Sequence, residues 1–124
     1  MVACSATQNT LCTDYIALGG GSSLAWLGLA TGAPGSTATP ANEATGGGYQ
    51  RQQTTWAAAA QSSGSATSSG TAQTLSVAAG TYTFMILASA STTGAANMID
   101  NASITSIALG SAGSIVLTPQ FALS

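Results

Sequence analysis

Charge is almost missing from this chain. Its 124 residues hold one base, Arg51, and three acids, Asp14, Glu43 and Asp100, with no Lys and no His. Charged residues make up 3% of the sequence, where soluble domains usually carry about 25%. Without His, the commonest proton carrier near neutral pH is gone. The acids lie far apart in sequence, and none has neighbours that would raise a carboxyl pKa. The abundant serines include no Gly-x-Ser-x-Gly elbow. Cys4 and Cys12, with no His and no second cysteine pair, cannot complete a metal centre. Catalysis, a cofactor and a bound metal are therefore not expected.

The same scarcity bears on partners. Neutralising a phosphate backbone takes several Lys or Arg, and only Arg51 exists, so nucleic acid is excluded; an anionic membrane surface fails for the same reason. No stretch approaches the ~20 continuous apolar residues of a membrane span. Residues Met1 to Leu11 lack the basic and long apolar segments of a secretory signal, so the chain reads as made in the cytosol or already processed. Cys4 and Cys12 then read as reduced, half-buried thiols, although their positions alone leave a disulfide open. A net charge of −2 gives weak protection against self-association, which points to life inside an assembly.

What is present is short and apolar. Runs rich in β-branched and aromatic residues alternate with Gly, Ser, Thr, Pro and Asn clusters, and no useful amphipathic helical pattern appears. Residues 1–23 read as an extended N-terminal arm ending in Gly19-Gly20-Gly21-Ser22-Ser23, and residues 24–124 as one domain. Strands are expected at Leu24–Ala30, Tyr49–Trp56, Ala72–Val77, Tyr82–Leu87, Ile104–Leu109 and Ser114–Thr118, with Phe121 and Leu123 extending the last. Tyr82, Phe84 and Ile86 should share one face and Met85 and Leu87 the other, which makes this strand central. Ala57 to Gly70 reads as a surface loop leading into a strand. The fold class is all-β: an antiparallel, jelly-roll-like β-sandwich of roughly seven or eight short strands. Its expected core is Trp26, Leu27, Leu29, Trp56, Leu75, Val77, Phe84, Ile86, Ile115 and Leu117.

One window gathers opposite charges. Asn42-Glu43-Ala44-Thr45-Gly46-Gly47-Gly48-Tyr49-Gln50-Arg51-Gln52 holds an acid, the only base and a triple glycine. The glycines lack the lysine of a phosphate cradle, so they read as a flexible lead into a strand. Glu43 and Arg51 are expected to pair as a structural latch that fixes the preceding loop.

These residues, taken in order, resemble a family of small β-rich virion proteins of tailed bacteriophages, tail-fibre-like and also occurring as head decoration proteins. The likeness runs from Leu24-Ala25-Trp26-Leu27-Gly28-Leu29-Ala30, through Gly32-Ala33-Pro34-Gly35 and the Asn-Glu, glycine, Tyr-x-Arg signature at 42–52, to a strand ending at Trp56. It continues through Tyr82–Leu87 to Gly113-Ser114-Ile115-Val116-Leu117-Thr118 and Phe121-Ala122-Leu123. An acid usual after the aromatic strand is missing from Ser89–Gly94, and residues 1–23 have no counterpart.

The resemblance implies a non-enzymatic structural protein of the virion. A capsid decoration or cement role is preferred because the chain is short and shows no heptads or repetitive shaft. The implied partners are copies of itself, as a homotrimer, and the major capsid protein; residues 1–23, polar and glycine-rich, are expected from their composition to lie across a neighbour. Surface glycans enter through the Asn101-Ala102-Ser103 acceptor pattern and the Ser/Thr tracts. The rival is a tail-fibre or adhesin-type carbohydrate-binding module, which requires an exposed aromatic cluster near Tyr49. An ice-binding surface would need regularly spaced threonines, and no constant repeat is visible.

Overall fold

The computed structural model describes residues 4–19 and 24–123. One helix, α1 (Ser5–Ala17), precedes nine strands among the described residues: β1 (Leu24–Ala30), β2 (Gln52–Thr55), β3 (Ala60–Ser62), β4 (Ser65–Ser69), β5 (Gln73–Val77), β6 (Gly80–Ala88), β7 (Met98–Leu109), β8 (Gly113–Leu117) and β9 (Gln120–Leu123). Every strand pair is antiparallel. A four-stranded sheet has the order β2-β1-β6-β7, a three-stranded sheet β3-β4-β9, and β5 pairs with β8.

Alternation along the strands decides what each sheet buries. Leu27 and Leu29 of β1 and Leu87 of β6 meet Leu75 and Val77 of β5 and Ile115 and Leu117 of β8 in one buried cluster, which Trp56 and Ile16 of α1 join. The four-stranded sheet thus packs against the smaller sheets as an all-β sandwich. Leu27, Leu29, Leu75 and Val77 are fully buried, each contributing roughly 1.5–3 kcal/mol relative to exposure. A second small cluster on the opposite face of β1 and β6 joins Ala30, Ile86 and Ala88 with the partly buried Trp26, Phe84 and Met98. Trp26 and Phe84 therefore lie outside the main cluster.

The β6 faces depart from simple alternation. Tyr82 packs in the main cluster while Phe84 and Ile86 line the other face. The switch coincides with a register shift: Tyr82 pairs with Ile107 but Phe84 with Ser103, which leaves Ile104, Thr105 and Ser106 opposite the single Thr83.

Two expectations about local structure are corrected. The segment read as extended is helical over Ser5–Ala17 and packs on its own chain. Its buried residues, Gln8, Cys12 and Ile16, are spaced four apart and so share one face. Only two of them are apolar, which is why periodicity did not reveal the helix. Gln61 Nε2 donates to Gln8 Oε1 at 2.6 Å, while Thr10 and Thr13 hydroxyls bond back to Ala6 and Asn9 carbonyls. Docking of this kind stabilises a helix too short to persist alone. Of the glycine-serine run, Gly20 to Ser23 lie outside the described residues. The stretch Ala57 to Gly70 is not a plain loop but contains the β3–β4 hairpin. Ser63 (φ 49°) and Gly64 (φ 80°) supply the two positive φ angles that a tight hairpin turn needs, and Ser62 pairs with Ser65 across it.

Candidate functional site

The chain brings its opposite charges together by doubling back twice beside β1. After Ala30 the chain loops out and returns so that Glu43 bridges Ala30, with the Ala44 N–H donating to the Leu29 carbonyl at 2.9 Å. Asn42 makes that return in the left-handed region (φ 57°), which Asn tolerates better than most residues. The triple glycine forms the second reversal. Gly46, Gly47 and Gly48 have φ of 77°, 64° and 76°, and the Tyr49 N–H closes onto the Gly46 carbonyl at 3.0 Å. The run is a tight left-handed turn, and a Cβ at Gly47 would run into the Val77–Ala78 peptide.

Tyr49 and Arg51 are thereby aimed at Glu43 over the Trp26 face of β1. Arg51 Nε donates to Glu43 Oε1 at 2.7 Å and Nη2 to Oε2 at 2.9 Å, a bidentate pair. Arg51 Nη1 donates to the Ala90 carbonyl at 2.9 Å and to Asn97 Oδ1 at 2.6 Å. The Glu43 carboxylate also accepts from the Tyr49 hydroxyl at 3.1 Å and the Gly94 N–H at 2.8 Å. Tyr49 oxygen in turn accepts from the Leu29 N–H at 3.0 Å. Asn97 is itself held, donating from Nδ2 to the Thr92 carbonyl at 3.1 Å. Three separate segments are joined in this way: β1, the 42–51 loop, and the Ser89–Asn97 connection between β6 and β7.

Burial makes the pair consequential. The side chains of Arg51 and Glu43 are 0% and 6% exposed. Two charges out of water are tolerated only when their remaining donors and acceptors are satisfied, and here Arg51 uses four of its five N–H groups. Burial, together with the charge of Glu43, pushes the Tyr49 phenol above its ordinary pKa, partly offset by the Leu29 N–H.

Gly28 is what lets the network sit so close to the sheet. A Cβ there would lie 2.5 Å from the Tyr49 hydroxyl and 3.3 Å from Glu43 Oε1. A lone glycine inside an apolar strand is a recognised mark of close approach, and this one was readable. Ala90, Gly94 and Asn97 left no such mark, because they join from about forty to fifty residues away.

The other acids are placed apart from this pair. Asp14 is exposed on α1, and Asp100 accepts from the Tyr15 hydroxyl at 2.7 Å. Among the described residues no three potential metal ligands come together. Tyr15 stacks on Phe121 with centroids 3.7 Å apart and meets Trp56 edge-on at 6.5 Å, so those rings face one another beneath α1. Burial first, then Asp100, pushes the Tyr15 phenol above its ordinary pKa. Cys4 is exposed and Cys12 buried, and both are free thiols. The Tyr49 phenol is half-buried and engaged as both donor and acceptor, and its ring lines an open cleft with the half-buried Trp26 and the Ser91–Thr93 stretch.

The fold and this pair define a class: a small all-β protein whose only base is used to hold loops. A comparison with protein families agrees. The family model described as podophage GP4 fiber I protein gp80 matches residues 21–120, and the chain belongs to that family. It is accordingly a small, β-rich structural protein of bacteriophages, associated with the virion. No curated protein and no solved structure matches the chain. The helix α1 lies outside the matched residues.

Proposed function

We propose that the protein is a non-enzymatic structural subunit of the virion's fibres, contributing neutral contact surface as one of several copies. The family match over residues 21–120, whose description is that of a fibre protein, carries this reading. The interior use of Arg51 and Glu43 supports it, since the chain's single base faces Glu43, Ala90 and Asn97 and offers no free cation to an outside ligand.

Decoration of the head is the second reading. It is favoured by the absence of heptads from which a shaft is built, and it adds the major capsid protein as a partner. Gold-labelled antibody fragments against the folded chain, applied to intact particles, separate the two. Label on fibres or tail supports the proposal; label spread over the capsid supports decoration; no label on intact or gently opened particles rejects both.

A further inference from the structure

Trp26 stands on the face of β1 opposite the main cluster, and Gly28, two residues further along the same face, presents no side chain beside it. The Tyr49 hydroxyl reaches over that glycine. A cleft of about 590 Å³ opens there, lined by Trp26, Tyr49, Gln50 and Ser91–Thr93, with the buried Arg51 beneath them. Its volume lies within the ~300–1,000 Å³ of small-molecule sites. Its walls are set before anything binds: Arg51 Nη1 donates to the Ala90 carbonyl and Asn97 Oδ1, and the Gly94 N–H donates to Glu43. The Ser91–Thr93 stretch is thereby pinned at both ends, so an occupant would not have to order it.

The cleft offers two kinds of surface. Trp26 and Tyr49 are half-buried, and among the described residues neither ring stacks on another aromatic ring. The Tyr49 hydroxyl is already engaged on both sides, so that residue offers its ring alone. Polar bonds in the cleft wall engage main-chain carbonyls: Gln52 Nε2 donates to the Gln50 carbonyl at 3.4 Å and Asn97 Nδ2 to the Thr92 carbonyl at 3.1 Å. The hydroxyls of Ser91, Thr92 and Thr93, the Gln50 side-chain amide and the Trp26 indole N–H carry no hydrogen bond among the described residues. Each hydroxyl, like the amide, can both donate and accept.

We propose that this cleft binds a neutral glycan, seating the C–H face of a hexopyranose ring on Trp26 and Tyr49 and its hydroxyls on Gln50 and Ser91–Thr93. Charge selects the class of ligand. Arg51 is the one charged residue in the lining, and Glu43 already neutralises it through a bidentate pair. An anionic sugar would find no free cation, and an amine no free carboxylate. A wholly apolar ligand would strip water from the hydroxyls and the amide without replacing their bonds. A neutral sugar alternates apolar C–H faces with hydroxyls that donate and accept, and so satisfies both kinds of surface. Binding of this kind goes beyond a structural role and does not rest on whether the chain sits on fibre or head.

Nitrogen-15 NMR titration of the full-length protein with maltotriose, cellotriose and chitotriose, and with trigalacturonic acid as the anionic control, tests this. At least one neutral trisaccharide is expected to shift the Trp26 indole signal and the amides of Ser91–Thr93 while the indole signal of the buried Trp56 stays in place. Trigalacturonic acid at the same concentration is expected to shift none of them. Trp26→Ala should weaken binding roughly tenfold or more, and Gln50→Ala, which removes an exposed amide with no bond in the fold, roughly two- to tenfold. The proposal is overturned if none of the three neutral sugars shifts Trp26, if the anionic sugar binds as well as they do, or if affinity is unchanged in Trp26→Ala. Should Trp26→Ala fail to fold, Gln50→Ala carries the test, and unchanged affinity there overturns the proposal.

Discussion

Replacing Arg51 by Met keeps most of the side chain's length and apolar contact while deleting the cation. Glu43 would then be left as a buried carboxylate, 6% exposed, with only the Tyr49 hydroxyl and the Gly94 N–H as donors. The Ala90 carbonyl and Asn97 Oδ1 would lose the donor that joins them to the 42–51 loop. Removing one partner of a buried pair costs about 3–5 kcal/mol, a large part of the 5–15 kcal/mol that holds a typical domain folded. At roughly 4 °C per kcal/mol for a chain of this size, the melting temperature should fall by about 12–20 °C. Urea titration followed by Trp26 and Trp56 fluorescence measures the loss directly, and Glu43→Gln combined with Arg51→Met should cost clearly less than the two single changes added together. A loss below about 1 kcal/mol, the value of a solvated surface pair, would refute the reasoning, because the pair would then be incidental to the fold.

Other consequences are open to simple assays. Arg51 is the sole tryptic site and its side chain is 0% exposed, so the native chain should survive trypsin intact and yield only fragments 1–51 and 52–124 once unfolded. Gly28→Ala drives a Cβ toward the Tyr49 hydroxyl and should cost about 1–3 kcal/mol in a urea titration; Tyr49→Phe frees the Leu29 N–H at about 1–3 kcal/mol, yet the double variant should cost less than the sum because the added methyl occupies the vacated space. Gly47→Ala should destabilise more than Gly48→Ala: both have positive φ, costing about 1–2 kcal/mol, but only Gly47 faces a backbone collision, with nothing within 4 Å of a Cβ at Gly48. Tyr15 and Tyr49 are both raised in the fold, so the folded state binds more protons above the unfolded phenol pKa of about 10. Stability should be intact below that pH and fall as pH rises beyond it, by up to about 1.4 kcal/mol per pH unit for Tyr49 and less for the more exposed Tyr15. Thermal melts of wild type and Tyr49→Phe at pH 9–12 would show the slope and its reduction.

Much of the sandwich could be read from the chain because its strands carry their own signal. The alternation of Gln73, Leu75 and Val77 places strand and face together, whereas the apolar run of β6 places the strand but not all its faces, because the register shift after Tyr82 puts Phe84 and Ile86 on the other side. The β3–β4 hairpin was not legible, because its strands are Ala, Ser and Thr without large side chains and only the Ser63-Gly64 turn gives them away. The helix was hidden by a buried stripe that begins with Gln8, whose amide is satisfied by a residue more than fifty positions distant. The pairing of Glu43 with Arg51 was suggested by proximity in an uncharged background, whereas the depth of its burial was not. That burial comes from the Ser89–Asn97 connection folding over it, which is a tertiary event with no local trace.

The central claim, that this chain is a structural part of the virion, is tested most directly by quantitative mass spectrometry of purified, intact particles. Unmodified chain peptides should appear at a fixed number of copies per major capsid subunit, unchanged by high-salt washing and density-gradient repurification. Loss of the chain on repurification, or its presence only in the lysate, would contradict the account.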